Sequence, residues 1–201
     1  LTCGVEERSF TFERRFTDIG QYVRYRGCFL NKFSLSIKPN AMVTGSFELI
    51  GLSGETAAEP LVASPAPSLT HLQYDSFTGE LRSNGELMAV VTGIDLSLDN
   101  GIQPQFVIFQ RDAPFASWGN SNVTGTMTAF FQNAALIREF LDESPAALQF
   151  TLGKPGDNQY IFTLPKIRYT GAENNMDADG PLSISMPFSA MLDPVTGTNL
   201  I

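Results

Sequence analysis

Apolar and small polar residues alternate along most of this chain with a period of two. Phe10-Thr11-Phe12, Phe33-Ser34-Leu35-Ser36-Ile37 and Val43-Thr44-Gly45-Ser46-Phe47-Glu48-Leu49 each place apolar side chains on one face and short polar ones on the other, the signature of half-buried strands. The pattern returns at residues 94–98, 123–129 and 160–164, and further strands are predicted at 166–170 and 182–188. Residues 148–152 are predicted to pair with 160–164 across the turn at 153–158, Gly-Lys-Pro-Gly-Asp-Asn.

One segment has helical spacing. Asn133 suits an N-cap, Ala134, Leu136, Ile137, Phe140 and Leu141 recur three, four and seven apart, and Ser144-Pro145 ends the run. This predicts a helix over about 133–144 lying on a sheet. Residues 18–26 are ambiguous: Asp18 with Gln21 resembles a capping box and Gly27 a C-cap, whereas Tyr22-Val23-Arg24-Tyr25 suits a strand equally. They are read as a short helix or turn.

Two long connections stand out. Residues 52–70 are mostly Ala, Pro, Ser, Glu and Thr, a loop composition expected to be flexible or ordered by assembly. Residues 99–121 form a second loop, but Phe106, Val107, Ile108, Phe109, Phe115 and Trp118 make it too apolar to stand in water uncovered. The subunit's own sheet or a neighbour must cover it.

The strand pattern also repeats. Phe33-Ser-Leu-Ser-Ile followed by Val43-Thr-Gly-Ser-Phe parallels Ile94-Asp-Leu-Ser-Leu followed by Val123-Thr-Gly-Thr-Met. Each unit predicts an antiparallel pair, and two pairs make four strands of one sheet; chance similarity of short alternating strands is the competing explanation. In register, Phe33, Leu35, Ile37, Val43, Phe47, Leu49, Ile94, Leu96, Leu98, Val123, Met127, Ala129 and Phe131 take the core. The opposite face carries Ser34, Ser36 and Lys38, then Thr44, Ser46 and Glu48, then Asp95, Ser97 and Asp99, then Thr124, Thr126 and Thr128, for a sum of −2 from one lysine against three carboxylates. A solvated sheet face more often bears long charged side chains, so this short, hydroxyl-rich one suits a surface past which something slides.

Composition narrows the field. A chain of 201 residues, 43% hydrophobic and 17% charged, with 16 Phe, 17 Gly and 12 Pro, can bury a core as a single domain and is neither disordered, collagenous nor coiled coil. Its net charge of −8 repels nucleic acid on average. The charge is segregated: residues 1–40 hold seven basic against four acidic side chains, net +3, and residues 41–201 hold six against seventeen, net −11. Complementary ends of that kind favour head-to-tail association.

Catalytic chemistry is hard to find. The single His, His71, excludes sites needing two imidazoles, no Gly-x-Ser-x-Gly elbow accompanies it, and Cys3 with Cys28 cannot make a zinc cluster. Those cysteines are read as free thiols. Residues 175–180 open like a calcium loop, yet Met186 occupies the twelfth position where a Glu is required. Asn122-Val-Thr124 fits a glycosylation sequon inside a predicted strand. Arg14-Arg15 and Tyr22-Val-Arg24-Tyr-Arg26 interleave base and aromatic as single-strand binders do, although ion pairs and packing explain such runs more often. No enzyme, cofactor or metal is expected. No apolar run reaches the length of a membrane span, so no membrane anchor is expected, and a start lacking Met and a signal core reads as a processed or partial product.

An ordered set of motifs resembles one known family. Phe12-Glu-Arg-Arg-Phe-Thr-Asp-Ile-Gly-Gln-Tyr22, Tyr25-Arg-Gly-Cys-Phe29, Phe33-Ser-Leu-Ser-Ile37, Val43-Thr-Gly-Ser-Phe47, Gly51, Val123-Thr-Gly-Thr126, Phe162-Thr-Leu-Pro165, Met186-Pro-Phe188, Asp193-Pro194 and Gly197-Thr-Asn199 resemble tail tube proteins of tailed bacteriophages. The likeness spans nearly the whole chain outside 53–90. It implies a mainly β fold, a β-sandwich or partly open barrel of antiparallel strands with one flanking helix. It implies homo-hexameric rings stacked into a tube in the virion tail, assembled in the host cytoplasm and conducting DNA transiently. Tape measure, tail terminator and baseplate or tip proteins are the further partners it implies. Family members usually carry a further N-terminal portion, so part of the protein is expected to be missing here. On this reading the hydroxyl face lines the lumen, and Arg14, Arg15, Phe106, Phe109 and Trp118 are candidates for contacts between subunits. The competing reading is a virion β-sandwich that binds carbohydrate or a receptor through the aromatic loop. An image of the purified protein, tubes or monomers, separates the two.

Overall fold

The computed structural model describes residues 7–68, 73–75, 79–88, 90–131, 135–153, 158–175 and 181–201. Its organising element is a long strand near the N-terminus. Strand β1 (Phe10–Phe16) turns through residues 17–20, with Gly20 at φ 62°, into β2 (Gln21–Ile37), which runs for 17 residues. Strands β3 (Thr44–Ile50) and β4 (Ser53–Ala57) both pair with β2. The first third of β2 forms a three-stranded arm with β1 and β4, and the remainder enters the main sheet.

Two expectations are corrected here. Residues 21–26 are strand, not helix or turn, because Tyr22–Tyr25 pair with β1 on one edge and β4 on the other, giving the backbone partners that a short helix would leave to caps. Gly27 is used for its left-handed freedom, φ 60°, but as a bulge: Phe12 pairs with Tyr25 while Phe10 pairs with Cys28, one extra residue on β2. The loop expected over 52–70 is also shortened at its start, since Ser53–Ala57 is β4.

The chain continues as β5 (Gly79–Ser83), β6 (Glu86–Leu87), β7 (Val91–Asp99), a small hairpin of β8 (Gln103–Gln105) and β9 (Phe115–Ser117), then β10 (Asn122–Phe130). Helix α1 (Ala135–Leu141) follows, then β11 (Ala146–Leu152), β12 (Tyr160–Tyr169), β13 (Glu173–Asn175) and β14 (Ser183–Ala190). Except for β8 and β9, all strands belong to one antiparallel sheet whose order runs β1-β2-β7-β10-β14-β12-β11-β5-β6, with β3 and β4 on β2 and β13 on β14. The two repeated units form the antiparallel pairs β2–β3 and β7–β10 of one sheet, as their alternation predicts, and the structure joins them through β2 and β7 in the order β3-β2-β7-β10. The two strands expected at 160–164 and 166–170 are one; Pro165 lacks the N–H for a regular ladder, and the register with β11 shifts there, between Leu148↔Leu164 and Ala146↔Ile167.

The sheet folds over on itself at β12, so its two halves share one core. Leu35, Leu96, Val123, Met127, Ile184 and Met186 from the first half meet Leu81, Leu148, Phe150, Leu164, Ile167 and Tyr169 from the second. Phe33, Phe162 and Phe150 continue this core as a stack, with ring centroids 6.3 and 4.9 Å apart. The helix contributes Ile137 and Phe140 but leaves Leu141 exposed, and Glu143, at φ 51°, ends it in the left-handed conformation. Its expected cap Asn133 lies outside the described residues. This is a mainly β, sandwich-like architecture and not a closed barrel.

Candidate assembly surfaces and a hydroxyl face

Strand register brings the expected polar residues together in transverse rows. Ser46, Ser34, Ser97, Thr124 and Ser189 lie opposite one another across β3, β2, β7, β10 and β14; the next row is Thr44, Ser36, Asp95, Thr126 and Pro187. Ser34 and Ser46 hydroxyls share a 2.7 Å hydrogen bond, and Ser36 donates to Asp95 Oδ1 at 2.5 Å. Thr128, in the following row, accepts a bond at its carbonyl from Thr92 at 3.3 Å. These rows floor a shallow concavity of about 700 Å³ that also touches Thr170. Gly125 lies in the core-side row of the same strand, opposite Leu96 and Phe188, and lets the Phe188 ring pack against β10, because a Cβ there would stand 2.4 Å from Phe188 Cζ and 2.5 Å from the Asp95 carbonyl oxygen.

The structure extends and corrects the sequence-based face. Its fifth strand, β14, adds Ser185 and Ser189, whose own alternation, Ser183-Ile-Ser-Met-Pro-Phe-Ser189, carried that signal. Lys32 belongs to the face as well, set between Glu48 (3.9 Å) and Asp99 (3.7 Å). With two lysines, 32 and 38, against Glu48, Asp95 and Asp99, the face sums to −1 and not −2. Lys38 closes the face just past the end of β2, and the Arg168–Glu143 pair, beside Ser189, flanks it.

On the core side, the expectation fails at one edge. Met127 and Val123 are fully buried, but Phe47 of β3 is 65% exposed and Leu49 is exposed too. Phe47 stacks on Phe33 (5.0 Å) and has nothing on its other side, because among the described residues β3 is paired with β2 alone.

The arm consumes much of its own charge. Arg24 Nε donates to Glu13 (2.7 Å) and Arg26 to Glu55 (2.6 Å), and those guanidinium hydrogen bonds hold both carboxyls below their ordinary range. The base-and-aromatic run is thus built into cross-strand ion pairs. Arg14 lies over the Phe16 ring at 4.8 Å and Arg15 over Tyr22 at 5.6 Å, both exposed.

The aromatic loop is half covered. Its base is tied down by Trp118 packing edge-on against Phe29 (5.2 Å), by the Ile102 N–H donating to Asn31 Oδ1 (2.8 Å) and by the Ala113 N–H donating to the Leu52 carbonyl (3.1 Å). Asn31, a buried polar residue that alternation gave no reason to single out, also donates to Glu48 at 2.9 Å. The tip is bare: Phe106, Ile108 and Phe109 are exposed, the last completely.

Elsewhere, burial raises the Glu139 carboxyl on α1, and burial together with that nearby charge raises the Tyr169 phenol. Cys28 is a buried free thiol whose pKa burial also raises. Among the described residues no group of acidic, His and Cys side chains could hold a metal, and no helix is long and apolar enough to cross a membrane. His71, Cys3 and most of the calcium-like run lie outside the described residues.

A family model described as phage tail tube protein matches residues 2–190. No curated protein matches the chain.

Proposed function

This chain belongs to the phage tail tube protein family, and from that premise we propose that it closes into hexameric rings whose stacking forms a hollow tube, with the hydroxyl face lining the bore that conducts DNA. Membership itself gives a structural role in the virion tail, in assembly with itself and with other tail components. The finer reading rests on one observation: five adjacent strands present a shallow, continuous surface of short hydroxyl side chains with a net charge near zero. Such a surface offers a polyanion no cluster of Lys or Arg to hold it, and its slight negative excess opposes sticking.

Ring closure is supported by the edges of the same sheet. An unpaired strand edge is an invitation to pair with another chain. β3 presents one such edge with Phe47 and Leu49 beside it, and the short β13 lies on β14 at the other side of the five-strand face. Joining edge to edge around a ring removes both and continues the face into a barrel. The arm, with exposed Arg14 and Arg15, reaches toward neighbours, and the end rings receive tape measure, terminator and baseplate or tip proteins. Assembly takes place in the bacterial cytoplasm. The competing carbohydrate- or receptor-binding reading has only the hairpin tip in its favour, whereas membership favours the tube.

The test is a double substitution, Ser46→Lys with Thr126→Lys. Tubes of normal appearance form, while DNA passage through tails carrying the variant is slowed. A variant that cannot fold, or one that ejects at the native rate, overturns the lumen assignment.

A further inference from the structure

Strand β2 twice carries a base set between two acids. In the arm, register places Arg24 opposite Glu13 on β1 and Glu55 on β4. On the hydroxyl face it places Lys32 opposite Glu48 on β3 and Asp99 on β7, and opposite charges facing one another across strands attract. The two rows are built differently. Arg24 donates a hydrogen bond to Glu13 at 2.7 Å and its side chain is 14% exposed, so that cation is committed to the fold. Lys32 stands 3.9 Å from Glu48 and 3.7 Å from Asp99, too far for a hydrogen bond to either, and its side chain is 48% exposed. It is held by the field of two carboxylates and not by a bond.

The carboxylates are fixed without it. Asn31 Nδ2 donates to Glu48 Oε1 at 2.9 Å, and the Gly101 N–H donates to Asp99 Oδ1 at 2.9 Å. Asn31 is itself buried and accepts from the Ile102 N–H. Further along the face, Asp95 is held by the Ser36 hydroxyl. The anions are therefore anchored, while Lys32, the one cation within the paired rows of this face, sits on a flexible four-carbon stem. A lysine so placed is a ready contact for phosphate, which is the contact a conducting surface has to avoid.

We propose that Glu48 and Asp99 are a restraining pair that keeps Lys32 from closing on the phosphates of passing DNA. This rests on the reading that the face lines the bore, and it gives three of its residues separate roles, Lys32 as the group restrained and Glu48 and Asp99 as positioning residues. Two carboxylates around one ammonium leave the row at −1, so a phosphate meets repulsion where a lone lysine would attract it. Without Glu48 and Asp99 the face keeps two lysines against Asp95 alone and moves from −1 to +1 per copy, a change repeated in every copy along the tube.

Tails carrying Glu48→Gln with Asp99→Asn test it, since each amide keeps the size of the side chain and an oxygen for the N–H that anchors it. DNA passage is expected to slow roughly tenfold or more at about 50 mM salt, the gap narrowing as salt rises, and the native rate is expected to return when Lys32→Gln is added. Damage to packing is neither salt-dependent nor reversed by deleting the lysine, so slowing that persists in high salt, or survives Lys32→Gln, overturns the proposal. Passage at the native rate at every salt concentration, beside tails slowed by Ser46→Lys with Thr126→Lys, overturns the restraint and leaves the bore reading standing; native rates in both sets of tails overturn the two together. Should the double variant form no tubes, Asp99→Asn alone, which brings the face to zero, carries the same salt and rescue test with a smaller slowing, and a native rate for it in low salt overturns the restraint.

Discussion

The same five-residue pattern has two fates in this molecule. Val-Thr-Gly-Thr-Met in β10 lies between β7 and β14, and its Val123 and Met127 are completely buried. Val-Thr-Gly-Ser-Phe in β3 lies at the edge, and Phe47, the counterpart of Met127, is 65% exposed. Alternation dictates that both are strands and which way each side chain points. It says nothing about whether a neighbouring strand exists to cover that face. The difference teaches that β3 carries the alternation of a core strand at a sheet edge, where, on the proposed assembly, a second copy covers it.

The largest effects come from breaking the interior copy. Met127→Ala is expected to cost about 2–5 kcal/mol of monomer stability in urea unfolding, whereas Phe47→Ala costs about 1, the worth of one ring stack, and acts on polymerisation instead. Equal destabilisation by the two would erase the distinction between centre and edge.

The two glycines of the pattern sharpen it next. At Gly125 a methyl group meets Phe188 Cζ at 2.4 Å, at Gly45 its nearest neighbour is the Ser34 carbonyl oxygen at 3.2 Å. Gly125→Ala is therefore expected to cost about 1–3 kcal/mol through forced repacking, and Gly45→Ala less than half of that, read by thermal unfolding of the two variants side by side.

A smaller contrast, in pH, separates the arm from the helix. Glu13 and Glu55 are held below their ordinary value of 4.5 by Arg24 and Arg26, so their contribution is full above 4.5 and is lost as the pH falls through the depressed values. Glu139 is raised by burial, so its penalty grows as pH rises through the raised value and acid relieves it. Hydrogen exchange below pH 4.5 is expected to quicken in β1 and β4 before it quickens in α1; the reverse order contradicts these pairings.

Much of the body was legible in the sequence because half-buried strands advertise themselves through period two: the repeat, its two antiparallel pairs in one sheet, the β11–β12 pairing and the small polar residues sharing one face follow from it, whereas the order in which the two pairs meet does not. Residues 21–26 were not, since capping signals at Asp18, Gln21 and Gly27 look alike whether they end a helix or shape a turn and a bulge, and only the pairing of β1 and β4 on both edges decides. Lys32 was missed on the face because the bulge between Leu30 and Lys32 hides where the alternation starts. Asn31 gave no signal, because a lone polar residue in a strand reads as surface until its hydrogen bonds to Ile102 and Glu48 are seen.

The central claim, that the face made by β3, β2, β7, β10 and β14 lines a bore, is tested most directly by an electron-microscopy reconstruction of the polymer formed by the purified chain. The account predicts a hollow, six-fold tube with Ser34, Ser97 and Thr124 facing the channel and β3 joined to the next copy. A tube lined by the β11–β12 half of the sandwich, or monomers alone at high concentration, would contradict it.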